Sequence, residues 1–86
     1  MSDRGQKSRD HELPLAPLRR IFRSQGADRV SDDAVALLRE YLEKVAKEIA
    51  LEAVEASRHA NRKTVTDEDV KFAISRLQRT YMLQSL

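Results

Sequence analysis

The side chains most able to do chemistry in this 86-residue chain are its two histidines, its carboxylates and its arginines. His11 and His59 stand 48 positions apart, with no carboxylate spaced to complete a ligand set, and there is no cysteine. Metal sites, thiolate chemistry and disulfides therefore have no candidate residues. The sequence also lacks a Gly-rich phosphate loop and a serine in the setting of an activated nucleophile. Seven of the fourteen carboxylates fall between residues 32 and 55, interleaved with Lys44 and Lys47 at salt-bridge spacing, and read as solvated helix faces. Neither an enzyme nor a cofactor is expected. What remains is basic: Arg19, Arg20 and Arg23 close together, Arg29 shortly after, and the adjacent pair Arg62 and Lys63. Guanidinium and ammonium groups clustered in this way suit phosphate oxygens.

The elements that position these cations follow from hydrophobic spacing. A first helix is expected from about Pro14 to Ser24, with both prolines near its first turn, where a missing N–H costs little, and Gly26 as its stop. On a helical wheel Leu15, Leu18, Ile21 and Phe22 share one arc and Arg19, Arg20 and Arg23 another. Ser31 is an N-cap for a second helix, with Asp32 and Asp33 at the positive end of its dipole. Apolar residues then recur at helical spacing as Leu38, Leu42, Val45, Ile49, Ala53 and Ala56, uninterrupted by Pro or Gly. Carried to about Ala60, this helix would be roughly 43 Å long. Asn61 can take the left-handed conformation that ends it. A short extended piece is expected at 63–65, and Thr66-Asp67-Glu68-Asp69 starts a last helix with Val70, Ala73, Ile74 and Leu77 as its core stripe. Phe72 falls on the opposite face.

A helix of that length exceeds the width of a compact domain of this size, and two short helices cannot cover both of its apolar rows. The expectation is an all-α, intertwined dimer with the long helices crossed. A coiled coil is disfavoured because the apolar face is broad, Ala-rich and without sustained heptads. Residues 1–11 read as a disordered polar tail, and residues 80–86 as an extension of the last helix. No apolar run approaches the roughly 18 residues of a membrane span. Nor does the start carry the apolar stretch of a secretory signal, so a soluble, intracellular protein with no membrane partner is expected.

Net charge is only +2, yet it is unevenly spread: +3 over residues 1–29, −4 over 30–57, +3 over 58–63 and zero beyond. In an antiparallel crossed dimer the first loop of one chain lies beside the second loop of the other, so the cations collect at both ends. With so few aromatics to stack bases, such a surface fits phosphate contacts on duplex nucleic acid better than single-strand binding or base readout.

Three segments, ELPLAPLRRIFR (12–23), GADRVSDDA (26–34) and RHANRKTVTDEDV (58–70), resemble the archaeal histones in order and spacing. The likeness covers residues 12–79. It implies the histone fold, a handshake homodimer, and stacking of dimers into a core that wraps or compacts duplex DNA without sequence preference, in the nucleoid of the cytoplasm. By resemblance Arg20 and Arg23 face phosphate, Arg29 enters the minor groove with Thr64 beside it, and Arg62 and Lys63 contact backbone. Arg19 joins this DNA-facing set through its place in the basic arc.

Arg62 and Asp69 match an internal ion pair of that family. Ala56, His59 and Asp69 match positions between dimers, and Gly26 matches a glycine that lets superhelix turns approach. Ala56 stands where the family often has a larger aliphatic, which predicts stacking weaker by roughly 1.5–3 kcal/mol per side chain. Asn61 replaces the usual glycine. Other histones are further possible partners, and small-molecule substrates are not expected. The alternatives within this resemblance are a histone-fold subunit of a transcription factor complex and a DNA-bridging protein that assembles through its C-terminus.

Overall fold

The computed structural model describes residues 11–85, with side chains through residue 80. They form three helices, α1 (Leu15–Ser24), α2 (Asp32–His59) and α3 (Asp67–Ser85). Among the described residues there is no strand: Lys63 and Thr64 make a bend where an extended piece is expected. Two compact units divide the chain, residues 1–44 and 45–86, and α2 belongs to both.

The helix ends have local causes. At α1 the stop is Gly26, with φ of 109°, while the Ala27 N–H donates to Phe22 C=O at 3.1 Å and the Gly26 N–H to Arg23 C=O at 3.0 Å. These are the two bonds of a Schellman cap, which needs a left-handed residue. The same motif closes α2, with Asn61 at φ 59° in the glycine position and the Arg62 N–H on Ser57 C=O at 2.9 Å. At the start of α2 the Ser31 hydroxyl accepts the Ala34 N–H at 3.0 Å, and Asp32 and Asp33 occupy the first turn. A reciprocal cap opens α3: the Thr66 N–H donates to Asp69 Oδ2 at 2.8 Å, and the Asp69 N–H reaches Thr66 Oγ1 at 3.4 Å.

In the first unit Leu18 and Val35 are buried, and a carboxylate anchors the entry to α1. Glu43, itself buried, accepts the N–H groups of Glu12 at 2.6 Å and Leu13 at 2.7 Å, and meets His11 Nδ1 at 2.9 Å. The reading of α2 carboxylates as uniformly solvated is corrected here. Among the described residues none pairs with Lys44 or Lys47; Asp32 pairs with Arg19, Glu43 with His11 and Glu52 with Arg76. The expected disordered tail, 1–11, falls outside the described residues except for His11, which this carboxylate holds.

The Leu13 N–H, followed by His11 and the Glu12 N–H, lowers the Glu43 pKa to about 2. A depressed carboxylate contributes stability that is complete above its unfolded pKa and fades as pH falls through the folded one. Glu43→Gln is therefore expected to reduce the urea midpoint by a constant amount down to about pH 4.5, with the difference from the parent closing toward pH 2. A difference that persists unchanged at pH 2 would show that the charge of Glu43 is not what stabilises the fold.

In the second unit the latter half of α2 and α3 run antiparallel. Ala53 and Ala73 are buried, small side chains that allow a close approach, and the buried Ser57 hydroxyl is satisfied by Val54 C=O at 2.8 Å. Arg76 Nε reaches Glu52 at 3.2 Å across the two helices.

Large apolar side chains remain outside both units. Leu37 is 67% exposed and Leu51 61%, with Ile21, Tyr41, Phe72, Val65 and Ile74 also exposed, while among the described residues the buried apolar ones are only Leu18, Val35, Ala53 and Ala73. A single chain thus leaves uncovered much of the surface that its sequence prepares for burial.

Candidate nucleic-acid interface

The predicted cations divide between the two units, and each group surrounds a loop that an arginine braces. In the first unit that arginine is Arg19. Its Nη1 donates to Val30 C=O at 3.1 Å and its Nη2 to Asp32 Oδ1 at 2.9 Å, so one guanidinium ties α1 to the loop and to the start of α2. Two of the Arg19 nitrogens therefore have partners inside the chain. Arg20, Arg23 and Arg29 are exposed around it. Gly26 is exposed as well, and a Cβ there would meet nothing within 4 Å. Its positive φ alone makes any other residue strained, so the α1 cap suffices to require glycine.

In the second unit the brace is Arg62, built to the same plan: a bond to a loop carbonyl, Thr64 C=O at 3.0 Å, and bonds to a carboxylate of the following helix. Here the pair is bidentate, with Nη1 on Asp69 Oδ2 at 2.9 Å and Nη2 on Oδ1 at 2.8 Å. Asp69 is 5% exposed and also accepts from the N–H and hydroxyl of Thr66. The Arg62 guanidinium, then the Thr66 N–H, hold its carboxyl well below the usual carboxylate range, and Asp69 in turn raises the Arg62 pKa. Lys63 and Thr64 are exposed beside this pair. His59 ends α2 exposed, with Ala56 half-buried one turn earlier.

In both units, then, one arginine neutralises a carboxylate and fixes the loop, and the neighbouring cations project into solvent. Fixed cations on rigid loops can hold polyanion oxygens without first ordering the backbone. Among the described residues no group of three His, Asp or Glu side chains could hold a metal ion, and no helix is long and apolar enough to cross a membrane. The inward roles of Arg19 and Glu43 eluded sequence reasoning. No local signal marks Glu43: on the helical wheel it lies about 80° from Val35 and Ala53, which share one direction, and its partners come from the backbone before α1.

Residues 11–74 match the family model described as histone-like transcription factor (CBF/NF-Y) and archaeal histone. The chain is 54% identical over 63 residues, 73% of its length and 94% of the relative's, to a Thermococcus zilligii protein named as one of the subunits of archaeal histone HAN1. It is 51% identical over the same coverage to the probable archaeal histone 3 of Methanocaldococcus jannaschii. More distantly, it is 36% identical over 83 residues, 92% of its length and 77% of the relative's, to the major histone H4 of Tetrahymena pyriformis.

Proposed function

The chain belongs to the family of archaeal histones and histone-like transcription factors, and from that premise we propose that two copies cross their long helices and grip duplex DNA by its phosphates. It is a DNA-binding histone and not an enzyme. In the pairing we propose, the Arg29 loop of one chain meets the Lys63-Thr64 loop of the other, joining two braced cation groups into one clamp at each end of a homodimer. The contact set is Arg20, Arg23, Arg29, Lys63 and Thr64, with Arg62 as a loop brace at the edge of the backbone. Successive dimers stack through the face carrying His59, and Gly26 leaves room where turns of protein pass each other. Such a protein acts on the chromosome, in the cytoplasmic nucleoid.

The observation that carries this reading is the pair of matching braces, each spending a guanidinium inside the fold so that the cations around it stand free. Exposed Leu37, Tyr41, Leu51 and Ile74 support pairing of chains. Two measurements test it. The purified protein is expected to have the mass of a homodimer, and Arg29→Ala to weaken binding to unrelated duplexes alike, by about 10–100-fold. A monomer that folds and binds only after a different chain is added would favour the transcription-factor reading. Loss of affinity for one sequence alone would exclude a role for Arg29 in wrapping.

A second reading has one observation in its favour. α3 continues to Ser85, beyond the matched segment, which offers a longer surface for bridging two DNA duplexes through facing dimers. Removal of residues 80–86 would then abolish bridging of two duplexes while leaving binding to one intact.

A further inference from the structure

Glu43 and Arg39 stand one turn apart on α2 and together grip the chain just before α1 by its backbone. Glu43 takes the N–H groups of Glu12 and Leu13 and meets His11 Nδ1 at 2.9 Å, while Arg39 Nη1 donates to Leu13 C=O at 3.5 Å. Only the hold on Leu13 bears directly on α1, whose N-cap, Pro14, makes no side-chain cap bond. The bonds to Glu12 and His11 carry the fixed region two residues further toward the start of the chain, and burying a carboxylate to hold them carries a desolvation cost. His11, the outermost residue gripped, is also the first of the family match. Residues 1–10 lie outside that match and hold three cations, Arg4, Lys7 and Arg9, that the DNA clamp does not use. The two archaeal relatives are matched over 94% of their own length by 63 residues, which leaves too few residues in them for a segment of this size.

We propose that this grip aims Arg9 at a DNA phosphate off the open end of α1, adding one cation contact per chain to those of Arg20, Arg23, Arg29 and Lys63. The inference rests on the histone reading above. Arg9 lies two positions before His11, so its backbone stays within about 7 Å of a fixed point, whereas Lys7 and Arg4 can stray about 14 and 25 Å. A tethered group gains effective concentration as its tether shortens, and the gain falls mainly on Arg9. The first turn of α1 holds no acidic side chain to repel a phosphate there. Arg20 follows about 7.5 Å along the helix from Leu15, with Arg23 a turn beyond, so Arg9 extends an existing row of cations. Asp3 and Asp10 bring the net charge of residues 1–10 to only +1, too little to draw a polyanion by charge in bulk. Position is what gives Arg9 its effect, and its partner is the same duplex that the loops hold.

The test is the salt dependence of binding to a short duplex, read as the slope of log K against log salt. Arg9→Gln removes two contacts per dimer and is expected to reduce the slope by about 2, so that between 50 and 200 mM salt the variant loses about tenfold less affinity than the parent. Arg9→Gln combined with Ser2→Arg keeps the net charge of the segment and is expected to behave like Arg9→Gln alone. Three glycines inserted between Asp10 and His11 leave the grip intact and lengthen the tether; in that background Arg9→Gln is expected to change the slope by less than about 1. As an independent readout, Arg9→Cys carrying a photoreactive label is expected to cross-link to DNA in the complex; the parent contains no cysteine to interfere. A slope unchanged by Arg9→Gln, full rescue by Ser2→Arg, an effect of Arg9→Gln that survives the insertion, or cross-linking to protein in place of DNA would overturn the proposal. A parent that binds no duplex would instead remove the histone reading, and a parent that binds as a dimer with a slope indifferent to Arg9 would remove this contact alone.

Discussion

Raising monovalent salt from 50 to 200 mM is expected to weaken duplex binding about 10⁴-fold. The figure follows from the exposed cations. Arg20, Arg23, Arg29 and Lys63 are all exposed, and a homodimer presents two of each. Eight phosphate contacts release condensed counterions with a slope of about −7 in log K against log salt, and a fourfold change in salt then gives about four decades. A range of six to ten contacts spans about 10³–10⁵-fold. Lys63→Ala, which removes two contacts per dimer, should reduce the slope by about 2 while the ordering of affinities among sequences stays unchanged. Titration of labelled duplexes at four salt concentrations measures both quantities. A slope near zero would mean that the binding energy comes from base contacts or apolar surface, and the phosphate clamp would be wrong.

Asp69→Ala is the substitution expected to harm the fold most, lowering Tm by at least about 10 °C. One carboxylate serves as acceptor for both nitrogens of Arg62 and for the N–H and hydroxyl of Thr66, so it both closes the second loop and starts α3. Truncation leaves the Arg62 guanidinium with Thr64 C=O alone and takes the acceptor from the Thr66 N–H that opens α3. The loss should also reach DNA binding, since Lys63 and Thr64 sit on the loop that Arg62 braces. Asp69→Asn separates shape from charge. The folded-state pKa of Asp69 is depressed, so its contribution is complete above the ordinary carboxylate range and is lost only as pH falls below it. Thermal melts of the parent and Asp69→Asn should hence differ by a fixed amount from pH 7 to about pH 4 and converge in stronger acid. Equal Tm values at pH 7 would show that the ion pair is not a structural brace.

These effects bear on how a near-neutral chain binds a polyanion. Net charge counts every side chain equally, whereas the fold engages Asp32, Glu43, Glu52 and Asp69 in internal pairs. Arg19, Arg62 and Arg76 are spent in three of those pairs, while Arg23, Arg29 and Lys63 stay exposed at or beside the loops. The surface that DNA meets is thus more positive than a net charge of +2 suggests.

Much of the fold is legible in the order of the residues alone. The Ser31 cap, the left-handed Asn61, the Thr66–Asp69 cap and the unbroken run of apolar spacing are local features, decided by interactions within a few residues, and the sequence states them directly. The likeness of its three segments to archaeal histones supplied the Arg62–Asp69 pair by precedent. What the sequence could not state is which of several chemically equal side chains turns inward. Arg19 and Arg20 are neighbours with the same chemistry, yet only Arg19 stands where Val30 C=O and Asp32 are in reach. Glu43 resembles the other acids of α2, and only the backbone preceding α1, about thirty positions away in sequence, singles it out. Capping and periodicity act within a few residues and can be read along the chain; which cation braces and which is free depends on contacts between distant segments, which exist only once the helices have packed.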